Sequence, residues 1–279
     1  MADIQSLDSI LKSRGTEVSA QWIASGSVPL TEFYKKTLKG DYSAIGVGLY
    51  GTGNGTIVIE DSIPSDFLIE DAFLYWVVGR GKDESLDTRG NLNGTPIKGQ
   101  VITTIDYALQ YFDFIRAAVT EAVKFGSNTL ADFPYFTLGA SLVVVYSNPS
   151  LSPKTVIIND GGMLFQQQWV STTFENFNAG GLPLHARTTY LVGDGTEFLE
   201  DQAIFNNVVV AGPDAFRSMD GLYWDTLTTG VSSFVTSGDT IAEAAINSID
   251  DILLWIAQVF SVTVKAEPLI PPRTRGVKL

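Results

Sequence analysis

An alternation of large apolar residues with small or polar ones is the clearest pattern in the chain, and it lies between residues 40 and 79. The alternating apolar positions are Ile45, Val47, Leu49, Ile57 and Ile59. A period of two places every second side chain on one face, which predicts two β-strands. Residues 72–78, AFLYWVV, are apolar at every position and predict a central strand that is covered on both faces.

Shorter apolar segments follow along the rest of the chain, and turn residues separate them. Asn93-Gly94 is typical of a tight β-hairpin, and Asp160-Gly161-Gly162 predicts a turn after a strand at 154–159. Further strands are predicted at 20–23, 32–38, 96–105, 133–146, 169–174, 186–192, 204–210 and 224–235. Many short strands joined by turns predict an all-β fold: an antiparallel, jelly-roll-like β-sandwich with one or two short helices.

Two segments inside this region have helical spacing. Residues 112–125 carry apolar side chains at i, i+4, i+7 and i+8, which predicts one short helix. Residues 240–264 fit either a helix or two strands. We favour two strands with a turn at 248–251, because the central sheet of an all-β domain needs a partner strand.

The two ends of the chain predict extensions from one central domain. Residues 3–14 predict a short amphipathic helix, and the proline-rich residues 266–279 predict an extended, basic tail. We therefore divide the chain into an N-terminal helix and arm at 1–37, a β-sandwich at 38–265 and the tail, with no internal repeat. The residues we expect to mediate assembly at the two ends are Ile4, Leu7, Leu11, Arg273, Arg275 and Lys278.

Composition excludes several kinds of partner and chemistry. The formal net charge of −13 disfavours binding to a nucleic acid backbone. The absence of cysteine excludes disulfides and thiolate chemistry, and one histidine cannot build a multi-histidine metal site. The chain contains no uninterrupted stretch of 18 apolar residues, so we predict no membrane-spanning segment. No signal peptide is visible at the N-terminus.

Several phrases of the chain resemble a family of uncharacterised bacterial surface or secreted β-sandwich proteins. The matching phrases include GDYSAIGVGLYGTGNGTIVI, IPSDFLIEDAFLYW, ASLVVVYSNPSL, GLYWDTLTTGVSSF and DDILLWIAQVFSV. The resemblance carries no catalytic motif. It implies an extracellular or cell-surface location and a structural or adhesive role. Without a visible signal peptide, signal-independent export or assembly into a particle is the alternative route.

Motifs for catalysis and cofactors are weak. Residues 46–51 match G-x-G-x-x-G, but another strand follows them where a dinucleotide site needs a helix, so we predict no cofactor. Carboxylates cluster at Glu200-Asp201 and at Asp250-Asp251, and a pair of them could do acid–base work. A third cluster, Asp83, Glu84 and Asp87, is a weak calcium candidate that lacks EF-hand spacing.

Aromatic residues give the remaining functional signal. Trp169 and Trp224 have polar neighbours, and an exposed ring beside amides or carboxylates can stack on a sugar. The other interpretation is that both tryptophans pack at the edge of the sandwich.

We expect a non-enzymatic structural protein that self-assembles as a homo-oligomer on a cell surface, in a filament or in a particle coat. The alternative is a carbohydrate-binding, lectin-like module for a surface glycan, or a carboxylate-dependent glycoside hydrolase.

Overall fold

The computed structural model describes residues 22–59 and 67–265. Within these ranges the regular structure is almost all antiparallel β-sheet, which confirms the predicted all-β sandwich class. The helical structure of the described residues is a single 3-10 turn at Ser232–Phe234. The helix predicted at 3–14 and the tail predicted at 266–279 lie outside the described residues.

Ten strands precede residue 150. They are β1 Trp22–Ile23, β2 Val28–Gly48, β3 Gly55–Ile59, β4 Leu68–Gly81, β5 Arg89–Leu92, β6 Thr95–Lys98, β7 Gln100–Tyr107, β8 Gln110–Ala118, β9 Gly126–Ala131 and β10 Thr137–Ser147. Eight more follow. They are β11 Pro153–Gln166, β12 Trp169–Glu175, β13 Ala186–Gly193, β14 Asp201–Phe205, β15 Val208–Ala211, β16 Trp224–Gly230, β17 Ile241–Ser248 and β18 Ile252–Thr263.

The strand order repeats between the two halves of the chain. In the first half, β2-β10-β4-β8 form one sheet, which β7 extends, and β3-β9-β5-β6 form a second. In the second half, the corresponding orders are β11-β18-β13-β16 and β12-β17-β14-β15. Two four-stranded antiparallel sheets with this connectivity make a jelly roll. The described residues therefore form two jelly rolls in tandem, a repetition of topology with no visible repeat of sequence.

Strand β2 joins the two jelly rolls. Its residues 28–39 pair with β11, and its residues 40–48 pair with β10. We call the sheets that contain β2 and β11 the inner sheets, and the sheets β3-β9-β5-β6 and β12-β17-β14-β15 the outer sheets. The two inner sheets are joined through β2 into one continuous hydrogen-bonded sheet, and β1 is added beside β11.

Three hydrophobic cores show how the four sheets are layered. One core lies between the inner and outer sheets of the first jelly roll and includes Leu74 and Trp76. A second lies between the corresponding sheets of the second jelly roll and includes Trp255. The third contains residues of both inner sheets, such as Tyr75 and Ile158, so these sheets face each other. Alternate residues of β4 between positions 72 and 78 enter different cores, which explains why this part of the strand is apolar at every position.

Polar side chains cross the interface between the two inner sheets. Tyr75 Oη donates to Asp160 Oδ2 at 3.2 Å, and Arg116 pairs with the same carboxylate. Trp224 Nε1 donates to Ser141 Oγ at 2.9 Å. Because buried polar groups need partners, these bonds fix the register of one jelly roll against the other.

Several local predictions are confirmed and others are wrong. The turn at 248–251 separates β17 from β18 as predicted, and the Asn93-Gly94 hairpin joins β5 to β6 with positive φ at both residues. The helix predicted at 112–125 is wrong, because β8 occupies the first half of that segment and a turn without helix occupies the second. Strand β11 also does not end at Asp160-Gly161-Gly162. It continues to Gln166 after a register shift at the glycines. The strand predicted at 204–210 is two strands.

Candidate functional site

Strand β12 presents a polar face to solvent beside the start of β2. Its burial alternates at every residue, with Val170, Thr172 and Phe174 inside and the residues between them exposed. The exposed residues are Trp169, Ser171, Thr173 and Glu175. Consecutive members of this row lie about 7 Å apart along an extended strand. The row is therefore a ladder of hydroxyl and carboxylate groups that ends in an exposed indole.

A cleft of about 500 Å³ follows this strand edge. Its lining residues are Leu30, Thr31, Glu32, Ser171, Thr172, Thr173, Glu175 and Asn176. Strand β12 is an edge strand of its sheet, and the cleft lies where that edge meets β2. Most of the lining is polar, and two of the side chains are carboxylates.

Both buried and exposed hydrogen bonds surround the walls of the cleft. Thr172 Oγ1 donates to the carbonyl oxygen of Leu30 at 2.8 Å. Asn159 Nδ2 donates to Thr172 Oγ1 and to the carbonyl oxygen of Thr173, both at 2.8 Å. Lys35 Nζ donates to Glu32 Oε2 at 3.1 Å and to the carbonyl oxygen of Glu175 at 2.7 Å. These bonds give the cleft a preformed shape.

Trp169 is the first residue of β12, two residues before Ser171, and is 48% exposed. It pairs across the sheet with Asn247, which in turn pairs with Gln202. The two amides are joined by a 3.4 Å contact from Asn247 Nδ2 to Gln202 Oε1. An aromatic face and two amides therefore lie in one row across three strands. An exposed indole beside amide groups has the kind of surface on which a sugar ring can stack and form hydrogen bonds, and glycan binding at Trp169 stays a prediction.

Trp224, the second predicted glycan-binding residue, is buried, so that prediction is wrong. It has no exposed surface, and its indole N–H donates to Ser141 inside the molecule. A Cβ on Gly139 would lie 2.2 Å from Trp224 Cγ, so the ring packs directly against that backbone. Its polar sequence neighbours indicated exposure, but Trp224 lies in the core between the inner sheets.

The predicted calcium candidates lie at the opposite jelly roll, in the loop between β4 and β5. Glu84 Oε2 accepts from the backbone N–H of Gly81 at 2.9 Å. Asp87 accepts from the backbone and the guanidinium of Arg89 at 2.8–3.0 Å. Asp83 lies beside them and is exposed. In the described part of the chain, no three histidine, cysteine or carboxylate side chains group closely enough to hold a metal ion.

The two acidic pairs singled out in the sequence meet in the second jelly roll. The backbone N–H of Glu200 donates to Asp250 Oδ1 at 2.5 Å at the surface. Beneath them, Asp201 and Asp251 are buried. Burial raises the pKa of Asp201 to about 7 and that of Asp251 to about 9, and repulsion from neighbouring aspartates adds to both shifts.

The residues predicted to mediate assembly are outside the described ranges. These are Ile4, Leu7, Leu11, Arg273, Arg275 and Lys278. Among the described helices, none is long and apolar enough to cross a membrane.

Sequence reasoning missed the β2 wall of the cleft. Thr31 and Glu32 are about 140 positions away from Ser171, and only the strand order brings them together. The alternation WVSTTFE was a usable signal for β12, because it predicts one polar face.

Comparison with known proteins gives structural matches only. No protein-family model matches the chain, and no curated protein matches it. One matching solved structure is a β-porphyranase of glycoside hydrolase family 86 from the human gut bacterium Bacteroides plebeius. It has a TM-score of 0.28 and 10% identity, over 86% of this chain and 37% of that one. Two structures of BuGH86 in complex with neoagarooctaose match with a TM-score of 0.28 and 11–12% identity, over 84% of this chain and 33% of theirs.

The matching structures named here are of a β-porphyranase and of BuGH86 with a bound oligosaccharide, and they contradict the prediction of a non-enzymatic, self-assembling structural protein as the main interpretation. The chain spans about a third of the length of these proteins, and a TM-score of 0.28 is too low to transfer an activity or a substrate. We therefore base the alternative on the residues of this chain.

Proposed function

We propose that this chain binds neutral, hydroxyl-rich oligosaccharides in the cleft along β12. The observation that carries the proposal is that the exposed Trp169 continues the polar face of the strand that lines the cleft. Two amides, Asn247 and Gln202, lie in a row beside it on the neighbouring strands. A sugar ring can stack its apolar face on the indole while its hydroxyl groups exchange hydrogen bonds with the polar ladder.

The charge of the cleft selects among glycans. Glu32 and Glu175 line it, and Lys35 is already engaged by Glu32 Oε2 and the carbonyl oxygen of Glu175. The whole chain carries a formal net charge of −13. Sulfated or uronate-rich chains would meet like charge at the cleft, so neutral chains are favoured.

The test is calorimetric titration of the full-length protein with neutral and anionic oligosaccharides, after a glycan array has named the ligands. We expect Trp169→Ala to weaken binding about tenfold or more, equivalent to about 1.4 kcal/mol, and Trp169→Phe to retain part of it. The matched control is Tyr135→Ala, because Tyr135 is also an exposed aromatic and lines a different cleft in the first jelly roll. Blank arrays, or binding that survives Trp169→Ala and disappears in Tyr135→Ala, would reject the β12 cleft.

Hydrolysis is a second candidate for the same cleft, because two carboxylates line it. Glycoside hydrolysis uses a pair of Asp or Glu side chains on either side of the scissile bond. Oligosaccharides that bind should therefore also be assayed for new reducing ends. If cleavage occurs, Glu32→Gln and Glu175→Gln should each abolish it while leaving binding measurable. Binding without cleavage would leave the chain a binding module.

A further inference from the structure

A second cleft, of about 420 Å³, lies in the first jelly roll at the end of β4. Its lining includes Arg80 from the end of that strand, Glu84 and Asp87 from the loop that follows, and Tyr135 and Phe136 from the turn before β10. It shares no lining residue with the cleft along β12. Aromatic rings and charged groups therefore line one space that is separate from the proposed sugar site.

Two aromatic rings form a corner on one wall of this cleft. The ring centroids of Tyr135 and Phe136 are 5.0 Å apart, and their planes are at 87°. Tyr135 is 62% exposed, so a ligand can reach its ring. The turn that carries the rings is fixed by two backbone hydrogen bonds. The N–H of Gly79 donates to the carbonyl oxygen of Phe136 at 3.0 Å, and that of Gly51 donates to the carbonyl oxygen of Tyr135 at 2.9 Å.

The positive charge at the cleft is already neutralised. Arg80 Nε donates to Asp113 Oδ2 at 2.6 Å, and that carboxylate has no exposed surface. The guanidinium also lies 4.5 Å from the centroid of the Tyr111 ring, and its Nη1 donates to the carbonyl oxygen of Glu84 at 2.9 Å. Arg80 is therefore held as part of the wall and offers little charge to an anionic ligand.

One carboxylate of the cleft has no basic partner. Asp87 pairs with Arg89 at 2.8 Å. Glu84 forms no ion pair with any described residue. Its Oε2 accepts from the backbone N–H of Gly81 at 2.9 Å, which holds the side chain in place. An uncompensated negative charge therefore lies in the same cleft as the aromatic corner.

We propose that this cleft binds a small organic cation with a quaternary ammonium group, which packs against Tyr135 and Phe136 and is balanced by Glu84. The faces of aromatic rings attract cations, and perpendicular rings can contact one cation from two directions. The methyl groups of a quaternary ammonium also suit the apolar surface that Val78 and Pro134 add. A primary ammonium has three N–H donors that the rings cannot satisfy. The site does not depend on the proposed function.

The direct test is saturation-transfer NMR of the full-length protein with choline, near neutral pH and at low ionic strength. The N-methyl protons of choline should receive saturation, and a titration should give a Kd. The comparison compound is the uncharged analogue in which a tert-butyl group replaces the trimethylammonium group. It should bind about tenfold more weakly, because it has the same shape without the charge. Added salt should weaken choline binding, since Glu84 is exposed to solvent.

Variants separate the ring from the charge. Tyr135→Ala should weaken choline binding about fivefold or more, and Tyr135→Phe should retain it, because the ring and not the hydroxyl makes the contact. Glu84→Gln should weaken binding and remove most of its salt dependence, while the amide oxygen can still accept from Gly81. The matched control is Asp83→Asn, the same loss of charge at an exposed neighbour outside the lining. It should keep the wild-type Kd within about twofold.

The proposal is overturned if choline receives no saturation or if the uncharged analogue binds as tightly as choline. It is also overturned if either Tyr135→Ala or Glu84→Gln keeps the wild-type Kd. Equal losses in Asp83→Asn and Glu84→Gln would show a general response to surface charge and would reject the cleft as the site.

Discussion

Burial of single carboxyl groups in this molecule suppresses their ionisation, and Asp251 shows the effect most clearly. Asp251 is 2% exposed and accepts hydrogen bonds from the backbone N–H groups of Thr196, at 2.9 Å, and Ile252, at 2.8 Å. These bonds favour the ionised form, but burial and repulsion from Asp194 and Asp201 outweigh them and raise its pKa to about 9. The folded protein therefore holds this carboxyl group protonated at neutral pH.

Asp251→Asn should remove a pH dependence of stability. Because the folded pKa is above the unfolded value, the contribution of the protonated group is fully present below about pH 4 and is lost as pH rises through about 9. The slope between these limits is at most about 1.4 kcal/mol per pH unit. The asparagine variant is uncharged throughout, so its free energy of unfolding should increase relative to wild type as pH rises.

Urea unfolding in EDTA at several pH values between 4 and 9 measures this difference. Asp83→Asn is the control, since that side chain is exposed, and its curve should stay parallel to that of wild type. Parallel curves for Asp251→Asn and wild type over the whole range would show that Asp251 is ionised in the fold.

At the scale of elements, β12 depends on one buried hydroxyl for its position against β2. Thr172 both donates to Leu30 and accepts from Asn159, and its neighbour Thr173 points to solvent. The wall of the cleft is therefore fixed by a bond outside the regular ladder of its own sheet. An edge strand held only by that ladder would leave the cleft free to widen.

Thr172→Val should destabilise the protein by about 1–3 kcal/mol, because an isosteric methyl removes the donor to the Leu30 carbonyl and one of the two acceptors of the Asn159 amide. Thr173→Val makes the same chemical change one residue away on the exposed face and should cost less than about 0.5 kcal/mol. Chemical denaturation of both variants gives the comparison. Equal losses would mean that the buried hydroxyl does not anchor the strand.

The sequence predicted strands where the apolar pattern was regular, and failed where polar or small residues interrupted it. The alternation in β3 and the unbroken apolar run at 72–78 both predicted strands. In β8, Phe112, Phe114 and Ile115 are all buried, so the period of two disappeared and a helical spacing with Val119 was left. Similarly, Gly161-Gly162 is not a turn. Strand β11 continues through it, with Gly161 close to the backbone of Val28 and Pro29 in β2 and Gly162 close to the ring of Phe114 in β8.

The candidate site was predictable only in part. Polar neighbours made both Trp169 and Trp224 candidates and did not separate them: Trp169 is exposed, whereas Trp224 is buried by contacts with Gly139 and Ser141, which are about 80 positions distant. Likewise, Glu200 and Asp250 were recognised as separate clusters, and their meeting depends on β14 and β17 being neighbours. Such proximity is a property of strand order, which the local pattern does not encode.

At the scale of the whole molecule, the two jelly rolls form one packed unit. Strand β2 contributes hydrogen bonds to both inner sheets, and one core contains residues of both. Hydrogen bonds from Tyr42 to Thr189 at 2.8 Å and from Tyr75 to Asp160 at 3.2 Å cross the same interface. Unfolding either jelly roll alone would expose this shared core and leave these polar groups unpaired.

We therefore expect a single calorimetric unfolding transition for the full-length protein, with equal calorimetric and van't Hoff enthalpies.

The matched test is a pair of variants, Trp76→Ala and Trp255→Ala. Both tryptophans have no exposed surface, but they lie in the separate outer cores of the first and second jelly rolls. Each substitution should cost about 3–5 kcal/mol, the range for deleting a buried large aromatic. Because the jelly rolls share β2 and the inner core, each variant should lower the Tm of the whole transition. A scan that splits into two peaks, with Trp76→Ala moving one peak and Trp255→Ala the other, would show that the halves unfold independently. A loss under about 1 kcal/mol for Trp76→Ala would instead contradict the central position of β4.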